Sequence, residues 1–129
     1  MSTTKTKPVV TVRVSVAIPE QRVNDIIVNA VDSGLNGWCG GAALFDRHNR
    51  AIRWQNNCER IMQNSHTLKV VDKDTQDEYW LTPNRIIQGL QHMASAYPAH
   101  FSNILNDNDD AETADVLIQC CCFSGVRYG

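Results

Sequence analysis

The chain has 129 residues, 43% of them hydrophobic and 20% charged, with a formal net charge of −2. That length suits one domain around one core. No apolar run nears the roughly 20 residues that a membrane-spanning helix needs, and the composition is that of an ordinary globular chain.

Residues 1–7 are polar and lack the apolar stretch of a signal peptide, so they are expected to form a disordered tail ahead of a single domain over 8–129. The expected location is the cytoplasm. Five cysteines, three of them adjacent (Cys120, Cys121 and Cys122), do not resemble the disulfide framework of a secreted domain.

In residues 8–18, Val10, Val12, Val14 and Val16 alternate with Thr11, Arg13 and Ser15. Strict alternation of β-branched residues predicts a strand with one buried face. Pro19 suits a helix start. Val23, Ile26, Ile27, Ala30 and Val31 then recur at helical spacing, and Gly34 is placed to stop the helix. A glycine-rich turn over 35–41 surrounds Trp38 and Cys39. Strands are expected at 42–45 and 51–54 around a turn at 46–49, with a short helix within 55–64. Residues 67–71 and 78–81 read as a hairpin around a polar turn. Thr82 and Pro83 open a second long helix, with Ile86, Ile87, Leu90, Met93, Ala94 and Tyr97 on its apolar face and Pro98 at its end. Residues 99–108 read as a loop with a brief strand or turn. Asp109 or Asp110 caps a last helix, whose buried stripe is Ala114, Leu117, Ile118, Cys121 and Cys122. Gly125 should stop it, and residues 126–128 should add an edge strand. The expected fold is α+β: a mainly antiparallel sheet of about five strands with three main helices packed against it.

Charge is unevenly spread. Residues 1–70 hold nine Lys/Arg and five Asp/Glu, a balance of +4; residues 71–129 hold three and nine, a balance of −6. Two surfaces follow as candidates. One is basic and aromatic: Arg47, Arg50, Arg53 and Arg60 around Trp54, suited to gripping phosphate and stacking a base, or to anchoring a protein partner. A solvated hairpin is the plain alternative. The other is acidic: Asp107, Asp109, Asp110, Glu112 and Asp115, which with Asp72, Asp74, Asp77 and Glu78 would imitate nucleic-acid phosphate. Helix capping and solvation are its plain alternative. Trp80, between Tyr79 and Leu81, is expected in the core.

No catalytic or metal motif stands out, and no cofactor is expected. Adjacent helical residues point about 100° apart, so the three neighbouring cysteines cannot all face one ion. A calcium loop from Asp107 fails, because Glu112 and Ile118 stand where glycine and glutamate are required. His48, His66, His92 and His100 form no metal pattern. A nucleophile pair of Cys39 or Cys58 with His66 would need geometry that sequence does not supply.

Three segments carry a resemblance: VNAVDSGLNGWCG (28–40), LTPNRIIQGLQ (81–91) and ADVLIQCCCFSGVRYG (114–129). They are similar to the helix-Gly-Trp-Cys segment, the middle helix and the terminal helix with its aromatic-Gly tail in a family of small proteins of phages, prophages and other mobile elements. The cysteine triplet and the Arg-rich insert at 46–60 depart from that pattern. The resemblance implies an accessory product of a mobile element and no activity of its own. The leading expectation is a non-enzymatic, anti-CRISPR-like inhibitor that binds and occludes a host defence protein, such as a CRISPR effector, inside a bacterial host. The alternative is a nucleotide or nucleic-acid sponge, and the third reading is a Cys- or metal-dependent enzyme. A homodimer is expected, since split charge and open strand edges favour self-association.

Overall fold

The computed structural model describes residues 7–129; of the tail expected over 1–7, only Lys7 falls within them. The fold is α+β. Helix α1 (Glu20–Asp32) leads through a short 3-10 turn (Leu35–Gly37) to strand β1 (Cys39–Phe45), then β2 (Ala51–Ile52) and α2 (Trp54–Asn57). A second 3-10 turn (Cys58–Arg60) precedes β3 (Thr67–Asp72) and β4 (Glu78–Leu81). Three helices follow: α3 (Pro83–Ala96), α4 (Pro98–Leu105) and α5 (Ala111–Phe123). The four strands form one antiparallel sheet in the order β2-β1-β3-β4.

The sheet is buried on one side only. Leu44, Leu68, Val70 and Leu81 point into the core beside Ile26, Ile27, Ile86, Met93 and Leu117. Helix α5 lies at the centre, and every residue from Thr113 to Cys122 is buried. The expected stripe therefore widened to the whole circumference, because α1, α3 and α4 all pack on this helix. Asp110 caps it, accepting from the Thr113 amide. Thr82 caps α3 in the same way, followed by Pro83.

Several expectations are corrected. Four strands are present among the described residues instead of about five, and α4 is added to the three main helices and to the short helix expected within 55–64, which α2 supplies. Residues 8–18 pair with no strand, and none of their backbone groups bonds to another described residue. Residues 98–105 are helical where a loop was expected. Pro98 occupies the first turn of α4, where its missing N–H costs nothing, so it starts one helix as it ends another. Ile104 then anchors α4 in the core. Strand β2 stops at Ile52, and Trp54 begins a helix. Gly34 adopts the left-handed conformation as expected (φ 77°), but α5 ends at Ser124 (φ 56°) and not at Gly125. Residues 126–128 form no strand; both amides of Arg127 and Tyr128 donate to Gln119 Oε1, which has turned inward from α5.

Candidate functional site: the open face of the sheet

Side chains alternate across a strand, so burying Leu44, Leu68 and Leu81 forces their neighbours to the opposite face. The register sets Ala43 beside Lys69 and Lys69 beside Trp80, with Phe45 beside Thr67 and Ala51. Trp80 is therefore on the open face at 37% exposure, not in the core. Its neighbours Tyr79 and Leu81 are the inward residues. Two consecutive aromatics hide the alternation in sequence, which explains the misplacement of Trp80.

Phe45 and Trp80 meet with ring centroids 4.9 Å apart, tilted by 55°. The Lys69 ammonium lies 5.6 Å from each ring centroid and 3.7 Å from Glu78. This is a small aromatic platform with a cation over it, on a sheet face without a covering helix.

The β1–β2 turn rises at one end of this face. Asp46 organises it by accepting from the amides of His48 and Arg50, both at 2.9 Å, and Asn49 takes the left-handed conformation (φ 63°). The Arg50 amide bond leads the causes that hold the Asp46 carboxyl below its usual range. Arg47 and Arg50 are exposed at the turn. Arg53 follows β2 with extended backbone (φ −71°, ψ 132°) and is exposed. Trp54 packs on the core. Arg60 is exposed on a separate 3-10 turn, fixed to α1 where Asn24 donates to Glu59 O and accepts from the Met62 amide. Among the described residues, Arg47, Arg50, Arg53 and Arg60 have no carboxylate within ion-pair distance.

The acidic group is placed differently. Arg22 bridges Asp107 at 2.8 Å and also pairs with Asp109. The bond to Asp109 is the largest cause raising the Arg22 guanidinium above its ordinary value. Asp110 is a helix cap. Asp115 is buried, accepting from Trp38 Nε1 at 2.6 Å and from Gln119 Nε2 at 2.9 Å. Glu112 alone of the five is exposed and outside such a bond. These carboxylates were expected as a contact surface. Asp107, Asp110 and Glu112 remain exposed, while Asp109 and Asp115 are held by Arg22 and Trp38 from the distant N-terminal half.

Four of the five thiols are poorly suited to nucleophilic work. Burial pushes Cys120 up to about 11 and Cys122 up to about 12, raises Cys121 well above its ordinary value, and raises Cys58 as well. A protonated thiol is a weak nucleophile. No cysteine is hydrogen-bonded to a described histidine; His66 is buried, and desolvation lowers its pKa. No group of three metal-binding side chains is present among the described residues. Native alkylation is expected to modify the half-buried Cys39 first and Cys120, Cys121 and Cys122 only after unfolding. Mass spectrometry of labelled native and denatured protein checks this; rapid native labelling of the triplet would contradict it.

No helix among the described residues is long and apolar enough to cross a membrane. No family model, curated protein or solved structure matches this chain.

Proposed function

We propose that this domain is a non-enzymatic binding protein that engages its partner through the open face of the sheet. The observation that carries this reading is the Phe45–Trp80 pair under Lys69, flanked by the unpaired Arg47, Arg50 and Arg53. Tryptophan and arginine dominate the energetics of protein interfaces, because each covers a large area and keeps a polar or ionic contact. The family resemblance extends the reading to the partner: a host defence protein, such as a CRISPR effector, occluded by this face.

A second reading rests on the same chemistry. Paired aromatics within a cationic rim also suit a single nucleic-acid strand or a nucleotide, with bases on the rings and phosphates on the arginines.

A double variant, Phe45→Ala with Trp80→Ala, tests the proposal. Loss of a central interface tryptophan weakens binding by about 30-fold or more. Inhibition in a host-defence assay should fall by that order while circular dichroism stays that of the parent. Charge reversal at Arg47, Arg50 and Arg53 should act in the same direction. Full inhibition by both variants would refute the proposal. Anisotropy titration of a labelled oligonucleotide separates the second reading: affinity should fall steeply with salt if arginines displace counterions, and no binding at low salt would dismiss it.

A further inference from the structure

We propose that residues 8–18 form a dimerisation arm. Two copies of this chain would pair their arms antiparallel about a two-fold axis centred on Val14, and the joined ribbon would lay its valine face over the apolar groove of each copy.

The arm has the pattern of a strand and lacks a strand's neighbour. Val9, Val10, Val12 and Val14 are 73–91% exposed. The backbone groups of residues 8–18 bond to no other described residue. A β-branched segment with free N–H and C=O groups is a template for another strand. Alternation itself implies one face turned to something apolar, and within one copy that face is open to water.

Beside the arm lies the second half of the interface. A groove of about 630 Å³ runs between the arm, α1, α3 and α4. Val14, Val16, Ile87, Leu90, Phe101 and Leu105 are among its walls. Ile87 and Leu105 remain 53% and 47% exposed. A two-stranded ribbon alone is marginal in water and needs an apolar surface beneath it. The groove supplies that surface. Covering it together with the valines removes on the order of several hundred Å² per copy from water, the scale of the roughly 800 Å² per partner in a stable interface.

The sequence favours a second copy of itself as the occupant. In an antiparallel pair, directly opposed residues share a face, so only registers that oppose valine with valine bury the apolar side. Centring on Val14 opposes Val12 with Val16 and Val10 with Ile18. Arg13 then faces Ser15, and Thr11 faces Ala17. Centring on Arg13 instead would set two arginines against each other, which is unfavourable. Pro8 and Pro19, which lack an N–H, fall outside the paired span.

Sedimentation of the full chain at micromolar concentration should report a dimer. Val12→Asp with Val14→Asp should give a monomer that retains the parent's near-ultraviolet circular dichroism, because neither side chain belongs to the core. A cysteine scan reads the register. In a Cys39→Ser background, Val14→Cys should crosslink between copies under mild oxidation, since opposed Cα atoms lie about 4.5–5.5 Å apart, within disulfide range. Thr11→Cys should not, because its counterpart is about 20 Å along the ribbon. A monomeric parent chain overturns the proposal and would leave the arm to a different partner. A dimer that survives both aspartates also overturns it. Equal crosslinking at both positions overturns the register. The sheet-face variants leave the arm intact, so failure of this proposal and failure of the binding-face reading are distinguishable.

Discussion

Replacing Asp72 by alanine is expected to destabilise the domain by about 3–5 kcal/mol, the cost of breaking a buried charged network by removing one partner. Asp72 closes β3 and is fully buried. Its carboxylate accepts from the Tyr128 hydroxyl at 2.8 Å and from the amides of Asp74 and Thr75 at 2.8 and 3.2 Å. The Arg127 guanidinium adds a longer contact at 3.4 Å. Alanine would take the acceptor from the Tyr128 hydroxyl and two turn amides, and a donor left without a partner out of water costs about 1–3 kcal/mol. The same carboxylate ties the C-terminal tail to the β3–β4 turn. It thereby holds Tyr128 stacked on Trp38, whose rings lie 5.8 Å apart and 14° from parallel. Since a domain of this size holds only about 5–15 kcal/mol in total, urea denaturation should show a large drop in midpoint. Tyr128→Phe should cost less, and the double variant should fall short of the sum of the two. Additive losses would mean that the tail and the turn are independent.

This network also sets an acid limit. Burial raises the Asp72 pKa, but the Tyr128 hydroxyl, the two amides and Arg127 together outweigh it and leave the carboxyl below its ordinary value of 3.8. Asp110 is lowered too, chiefly by the Thr113 amide. In both cases the unfolded chain binds protons more readily than the folded one. The stability contributed is complete above about pH 4 and lost as pH falls through the folded pKa. Asp72→Asn should therefore flatten the stability profile between neutral pH and pH 3. An unchanged slope would remove Asp72 from the account of acid unfolding.

Gly89→Ala is expected to cost about 1–3 kcal/mol, although alanine ordinarily favours a helix over glycine by about 1 kcal/mol. Gly89 is where α3 meets α5. A Cβ there would lie inside contact distance of Cys121 Sγ and 3.0 Å from both Cys121 Cα and N. The backbone atoms cannot move aside without separating the helices. Arg85, one turn earlier, donates to the carbonyls of Cys121 and Cys122 and would be pulled from them. Combining Gly89→Ala with Cys121→Ala should recover only part of the loss, since the backbone contact persists. Thermal unfolding of the three variants checks this, and a more stable Gly89→Ala would show that the helices are free to part. The small Cys side chains have a packing reason here: larger residues at 121 would meet α3.

The segments 28–40, 81–91 and 114–129 meet in this interior. Trp38 from the first bonds Asp115 from the last, and Phe123 and Tyr128 pack on its ring. Arg85 and Gly89 from the middle segment hold the end of α5. Those residues explain how the chain is closed. The candidate binding face lies outside them, and only its arginines had a sequence signal, a cluster at a turn. Phe45, Lys69 and Trp80 had none, because they come from three strands and only the pairing register gathers them.

The amino-acid sequence alone determined α1, α3, α5 and the β3–β4 hairpin. Their apolar periods, capping residues and turn residues act over a few neighbours, and such signals are complete within a short window. It also determined that residues 8–18 are β-prone. Tertiary structure decided that they find no strand among the described residues, that the side of β4 carrying Trp80 faces outward, and that Asp109 and Asp115 of the acidic run are held by Arg22 and Trp38. The reason is the separation of the partners: Arg22 and Asp109 are 87 positions apart and Trp38 and Asp115 are 77 apart. Charge and hydropathy fix what a residue needs, but only chain folding selects which distant group meets that need.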